Sequence, residues 1–189
     1  MIKCVQNSGN KSDIKKHIIG YLVGSFVFII LIPFVIYLTS LISSASLELH
    51  VPHVRIVNYS VATLLSVAGV VFAIWSNIDL LIVGKGGPTD FFNKSISPRS
   101  KKLVTKGPYR YTRNPMVFGM NALYFALSIF LNSLSSLLFC LILLSIIILY
   151  LKLTEEKRLI KDFGEEYLKY KKRVSMVIPL PPKKSIEKL

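Results

Sequence analysis

Hydrophobic residues in this chain come in long unbroken runs, not in the short periodic patches of a soluble fold. Ile18 to Ile42 is 25 residues without a charge. A helix of that length covers about 37 Å, enough to cross a hydrocarbon layer of roughly 30 Å with some tilt. Pro33, near its middle, predicts a kink. Ile56 to Val83 is a second run, with Asn58, Trp75, Asn77 and Asp79 inside it. Polar groups at membrane depth are costly and face a protein interior or a cavity. Trp75, Asn77 and Asp79 lie near one end, so an interfacial position accounts for them equally well. Val117 to Leu131 and Leu134 to Leu151 form a third and a fourth apolar segment, and Asn132-Ser133 between them predicts a tight helical hairpin. The third is only about 23 Å long unless it reaches back to Pro115, which suits the first turn of a helix.

After Leu151 the pattern changes. Leu159, Ile160, Phe163 and Tyr167 recur at helical spacing among charges, which predicts an amphipathic helix along the membrane surface, broken or bent at Gly164. Glu165 and Lys169 make a favourable i,i+4 pair on it. Pro179, Pro181 and Pro182 then end regular structure. The expected fold is an all-α integral membrane protein of one domain, residues 1–189. Its four spans cover about 18–42, 56–83, 115–131 and 134–151, and a fifth stays open if the C-terminal helix re-enters or the second run breaks. The first run starts too late and is too long for a cleaved signal peptide.

Charge sharpens this picture. The formal net charge of +14 would suit nucleic acid, but no stretch is long enough for a separate basic domain. Lysines and arginines number four in residues 1–17, eight in 84–114 and eleven in 152–189, and only Arg55 lies elsewhere. Four spans put those three segments on one side, as expected of cytoplasmic loops, with both termini cytoplasmic.

Metal and phosphate motifs are absent. His50 and His53 are separated by Pro52 and have no third ligand nearby. Gly84 to Pro88 has turn chemistry but lacks phosphate-loop spacing. Cys4 and Cys140 give no disulfide framework, and Cys140 reads as a small packing or lipid-facing residue.

Candidate chemistry concentrates in Leu103 to Gly119, LVTKGPYRYTRNPMVFG, at the threshold of the third segment. A hairpin of the third and fourth segments brings Arg113 to Met116 near Thr154, Glu155 and Glu156. GPYRYTRNPMVFG, the acidic pair after the hairpin, and FGEEYLKYKKRVSMVIP occur in an order and spacing that resembles the isoprenylcysteine carboxyl methyltransferases, at the length of a prokaryotic or archaeal member. The wider set of membrane methyltransferases, phospholipid methyltransferases included, looks similar. The resemblance covers about residues 60–180.

It implies S-adenosylmethionine as methyl donor, S-adenosylhomocysteine as product, and a cytosolic cofactor site built from the middle loop and the C-terminal helix. The implied cofactor contacts fall on Lys101, Lys102, Leu103, Val104, Tyr109, Asn114, Pro115, Met116, Val117 and Glu155. Glu155 is the residue to hold the donor's ammonium, with Glu156 as the alternative. Arg113 is placed to meet an acceptor carboxylate, since its guanidinium engages two oxygens at once. Arg113 and Glu156 are the implied catalytic pair, and Tyr167, Tyr170 and Arg173 close the site around the substrate. The family pattern Arg-His-Pro-x-Tyr reads Arg113-Asn114-Pro115-Met116-Val117 here, so an amide and an isopropyl group replace an imidazole and a phenol.

The implied activity is methyl transfer to a lipid-borne acceptor, the carboxylate of a prenylated cysteine or an analogue. Alternatives are a phospholipid amine acceptor, a sterol-reductase-like enzyme using NADPH, and a non-enzymatic membrane protein. The nearly uncharged span interiors speak against a transporter. Expected partners are the bilayer and a lipophilic acceptor, with no metal, no nucleic acid and no obligate protein partner. Protease access to tags on both termini tests the topology: four spans expose both on the same face of sealed vesicles, and a C-terminus on the opposite face contradicts them.

Overall fold

The computed structural model describes residues 18–20, 22–46, 55–84, 90–91, 94–95, 100 and 102–183. The polar start of the chain with Cys4, the His50–His53 loop, Gly86 to Pro88 and Lys101 lie outside the described residues. Five helices make up nearly all of the rest: α1 (Ile32–Ser46), α2 (Arg55–Asp79), α3 (Pro115–Phe130), α4 (Leu134–Tyr150) and α5 (Glu156–Arg173). Strands β1 (Asp90–Phe91) and β2 (Lys94–Ser95) form a small antiparallel ribbon, Asp90 opposite Ser95.

The kink expected at Pro33 takes the form of a wider helical turn. Phe26–Leu31, just before α1, is π-helical, and the Ile32 N–H bonds the carbonyl of Val27 five residues back. The next bond in that ladder would run from residue 33 to Phe28, and proline has no N–H to make it. The Tyr124 hydroxyl of α3 donates to the Phe28 carbonyl instead, at 2.8 Å. A backbone defect in one helix is thereby repaired by a side chain of another, as the lack of water in a bilayer requires.

Among the described residues, three helices are long and apolar enough to cross a membrane: Ile18–Ile42, Ile56–Gly84 and Leu134–Arg173. The last joins α4 to α5 through a π-helical turn, Leu151–Glu155. α3 begins at Pro115, the earlier of the two starts considered, and at 16 residues it covers about 24 Å, short of the roughly 20 residues a span needs. It is also the most enclosed helix, with Gly119, Asn121, Ala122, Tyr124, Ala126 and Ser128 buried.

Small residues let α3 sit this deeply. A Cβ on Gly119 would come within 2.8 Å of the Ala73 nitrogen and of the Gly69 carbonyl oxygen, and a Cβ on Gly69 would meet the Gly119 carbonyl oxygen at 2.8 Å. Close backbone approach of this kind is how helices associate where lipid removes the hydrophobic drive. Phe72 and Phe118 meet edge to face beside the crossing, 4.9 Å between ring centres.

The expected hairpin is present. Asn132 takes the left-handed conformation at φ 52°, which asparagine tolerates, and the Ser133 hydroxyl caps α4 by accepting from the Ser136 N–H. Ser136 donates to the Ile36 carbonyl at 2.9 Å and meets Thr39 at 3.1 Å, tying α4 to α1. Cys140 is a packing residue, fully buried beside the Ser128 hydroxyl at 3.3 Å.

Gly119→Ala places a methyl against rigid backbone. It should destabilise the detergent-solubilised protein by about 1–3 kcal/mol, read as a lower thermal midpoint, while Leu138→Ala on the exposed face of α4 should cost far less.

Candidate active site

The segment before α3 is shaped by a glycine. Gly107 has φ +58°, and a Cβ there would lie 1.8 Å from Asp79 Oδ2 and 3.1 Å from Trp75 Nε1. No side chain fits, so the end of α2 presses directly on the short 3-10 turn Gly107–Arg110. Asp79 and Trp75 thus meet the loop at Gly107, with Trp75 still 39% exposed. The turn closes with the N–H groups of Tyr111 and Thr112 on the Pro108 carbonyl, at 3.0 and 3.2 Å. Pro115 then starts α3 as its first residue, and Asn114 precedes it.

The second half of the site comes from the chain's fold-back at Gly164, where a bend was expected. Its φ of 53° and ψ of −129° lie in a region that side chains avoid. In a straight helix Lys171 would stand about 22 Å from Glu156. Here the Lys171 ammonium is 2.5 Å from Glu156 Oε2. Gly164 lies eight residues after Glu156 and seven before Lys171, so the two arms match in length and their ends meet.

Arg113 enters where the arms meet. Its Nη1 pairs with Glu156 Oε1 and reaches the Tyr167 hydroxyl at 3.3 Å. The Arg113 and Glu156 side chains are 9% and 5% exposed, so this is a buried ion pair with a second cation on the free carboxylate oxygen. The Arg113 Nε–H is buried and has no hydrogen-bond partner among the described residues. Glu155 pairs with Arg158 at 2.6 Å. α5 carries eleven charges in eighteen residues and belongs outside the apolar layer. Burial raises the Tyr167 phenol above its ordinary value, against the pull of Arg113. Burial raises Tyr170 further, so both remain proton donors.

The chain beyond α5 clasps the loop. The Arg113 N–H donates to the Ser175 carbonyl at 2.9 Å, and Thr112 and Ser175 form a parallel bridge. The Met176 carbonyl accepts from the Thr112 hydroxyl at 3.1 Å and the Asn114 amide at 2.9 Å. The Tyr170 hydroxyl donates to the Tyr109 carbonyl at 2.6 Å.

The sequence-predicted residues therefore divide. Arg113, Glu156 and Tyr167 converge, while Tyr170, Tyr109 and Asn114 sit in the adjoining clasp. Pro115 is buried at the head of α3, with Met116 and Val117 half-buried behind it. Val104 is buried, its methyl close to Gly84, and Leu103 packs on the Tyr167–Tyr170–Val174 cluster. Glu155 is one residue from Glu156 but engaged with Arg158. Lys102 and Arg173 are exposed. Sequence reasoning did not single out Lys171, Thr112 or the Met176 carbonyl. Lys171 was one cation in a basic run, and nothing in a side-chain pattern marks a backbone carbonyl.

A family model described as phospholipid methyltransferase matches residues 57–166. It ends just past Gly164, so Tyr167, Tyr170, Lys171 and the clasp lie beyond the matched region. No curated protein and no solved structure matches the chain.

Gly164→Ala meets no clash, since no atom lies within 4 Å of the added methyl. The cost is conformational, roughly 1–3 kcal/mol. Because the bend is what delivers Lys171, Lys171→Met should cost measurably less stability in the Gly164→Ala background than alone, as a double-mutant cycle in denaturant would show.

Proposed function

Because the chain belongs to the phospholipid methyltransferase family, we propose that it transfers a methyl group from S-adenosylmethionine to a lipid-borne acceptor at the cytosolic membrane interface. α3 is the fourth crossing in this reading, held in a layer locally thinned to its length. Both termini then face the cytosol with the site.

The residues fit the cofactor. The amide groups at the head of α3 and the Glu155 carboxylate supply donors for a carboxylate and an acceptor for an ammonium, and the buried Arg113 Nε–H without a partner is left for the acceptor. Met116, Val117 and Val104 offer apolar walls. S-adenosylmethionine, when bound, supplies a methyl group on a positively charged sulfur. Glu155 holds the ammonium and exchanges its contact with Arg158 to do so. Arg113, fixed by Glu156 and Tyr167, holds an oxygen of the acceptor. The chain supplies placement and exclusion of water, which carry most of the rate when the donor is already activated.

The state of Glu156 supports a carboxylate acceptor such as that of a prenylated cysteine. Both of its oxygens are engaged, one by Arg113 and the other by Lys171. It therefore serves to position Arg113, not as a base. A carboxylate is ionised near pH 7 and needs no base, whereas an ammonium headgroup must first lose a proton. A phospholipid amine acceptor, with Glu155 as the base, fits the family equally well.

Calorimetric titration should show saturable binding of S-adenosylhomocysteine, lost in Glu155→Ala, and none of NADPH. With labelled donor, methyl transferred to a prenylcysteine analogue should be released by mild base as methanol, as from an ester. Base-stable label in phosphatidylethanolamine would instead establish the amine reading. Arg113→Lys keeps the charge but loses the fork, and kcat/KM should fall about 10- to 100-fold, the kinetic equivalent of one charge-assisted hydrogen bond.

A further inference from the structure

The apolar side chains expected to lie on the membrane surface are engaged elsewhere. Leu159, Ile160 and Phe163 pack, half-buried, with Leu103 against Tyr167, Tyr170 and Val174. In the clasp, the exposed apolar side chains are Tyr111, Ile178 and Leu180, at 37%, 67% and 52%. Single exposed apolar residues are ordinary, but these three are tied together. The Leu180 N–H donates to the Tyr111 carbonyl at 3.0 Å, and the Ser175 hydroxyl lies against the carbonyls of both Tyr111 and Ile178.

Charge frames the patch. Arg110, Arg173 and Lys183 are exposed around it, and the Lys183 N–H donates to the Arg173 carbonyl at 2.9 Å. Neither contributing segment, 105–114 or 174–183, contains an acidic residue. The height of the patch is set by the same hydrogen bonds that build the site. Ser175 and Met176 are bonded to Arg113 and Asn114, immediately before the first residue of α3. Ile178 is two residues further on, no more than about 7 Å along the chain. It therefore lies within that distance of Met176, which is bonded to Asn114 just before the apolar run of α3 begins.

We infer that Tyr111, Ile178 and Leu180 dock into the headgroup layer of an anionic leaflet, with Arg110, Arg173 and Lys183 against its phosphates. Apolar insertion and attraction to anionic lipid reinforce each other in such surfaces. The docking fixes the clasp, and with it Arg113, at the depth where a lipid-borne molecule presents its head. The inference stands on the membrane character of the chain and is independent of the acceptor's identity.

The test uses the full chain in sealed vesicles of phosphatidylcholine, with and without phosphatidylglycerol. A nitroxide is attached at Ile178→Cys, or separately at Leu180→Cys, in a Cys4→Ser background. Cys140 is fully buried and stays unlabelled. Collision of the label with dissolved oxygen should exceed collision with a water-soluble nickel chelate, and the excess should grow when phosphatidylglycerol is present. Arg173→Glu with Lys183→Glu should abolish that growth, and a label at the exposed Lys161→Cys should favour nickel throughout. Nickel access at 178 and 180 equal to that at 161 overturns the inference. So does shielding from both reagents, which would mean that protein covers the patch. An oxygen excess identical in both vesicles overturns the anionic part.

Discussion

A guanidinium removed from water must be paired, and the end of this molecule where α3 begins is arranged around that requirement. Arg113 is fixed in place two residues before α3 and three after the turn Gly107–Arg110, on which Asp79 and Trp75 press. Its carboxylate partner, Glu156, opens α5, just past the π-helical turn that follows α4. One carboxylate with two cations leaves neither of its oxygens unpaired, and the second cation is fifteen residues away along a helix. Only a reversal at Gly164 can bring it back. Breaking a buried pair from one side costs more than the pair contributes, on the order of 3–5 kcal/mol, because a lone charge is left behind. The bend, the clasp and the placement of Tyr167 all follow from keeping this network complete.

The same economy governs the apolar half. Between helices in lipid, packing and hydrogen bonds replace the hydrophobic drive. α3 uses both. Gly69 and Gly119 bring its backbone against α2, and Tyr124 on its other side satisfies the carbonyl that Pro33 leaves open in the first helix. A short helix enclosed on several sides then positions Arg113 from its first turn. Pro115, which lacks an N–H, sits where no N–H partner is available anyway.

The pattern that this segment resembles has a histidine where this chain has Asn114, and the structure gives the asparagine a use. The Asn114 amide donates to the Met176 carbonyl alongside Thr112. An amide performs that task at any pH, whereas an imidazole would do so in one tautomer or charge state only. Asn114 is thus part of what holds the C-terminal segment on the loop, and the proton chemistry that a histidine could offer is not available from it.

By itself the sequence determined the elements and the neighbourhood. Long charge-free runs must be helical in lipid, because no other local structure satisfies their backbone internally. Pro33, Asn132-Ser133, Pro115 and Gly164 marked their interruptions correctly, since each acts through its own backbone restrictions. The dense cluster of Arg, Tyr and Pro before α3 pointed to the candidate site, where Arg113, Glu156 and Tyr167 converge. Tertiary structure alone decided which charges meet. Sequence spacing could not separate Lys171 from its basic neighbours, nor reveal that Met176 contributes a carbonyl, because both depend on the direction in which a bent chain returns. It also decided which apolar face stays exposed. Helical periodicity found Leu159, Ile160 and Phe163, but the fold covered them with Leu103 and the tyrosines, and left Ile178 and Leu180 outside, where no periodic pattern pointed. Periodicity reports that a face is apolar; only the assembled fold determines what that face meets.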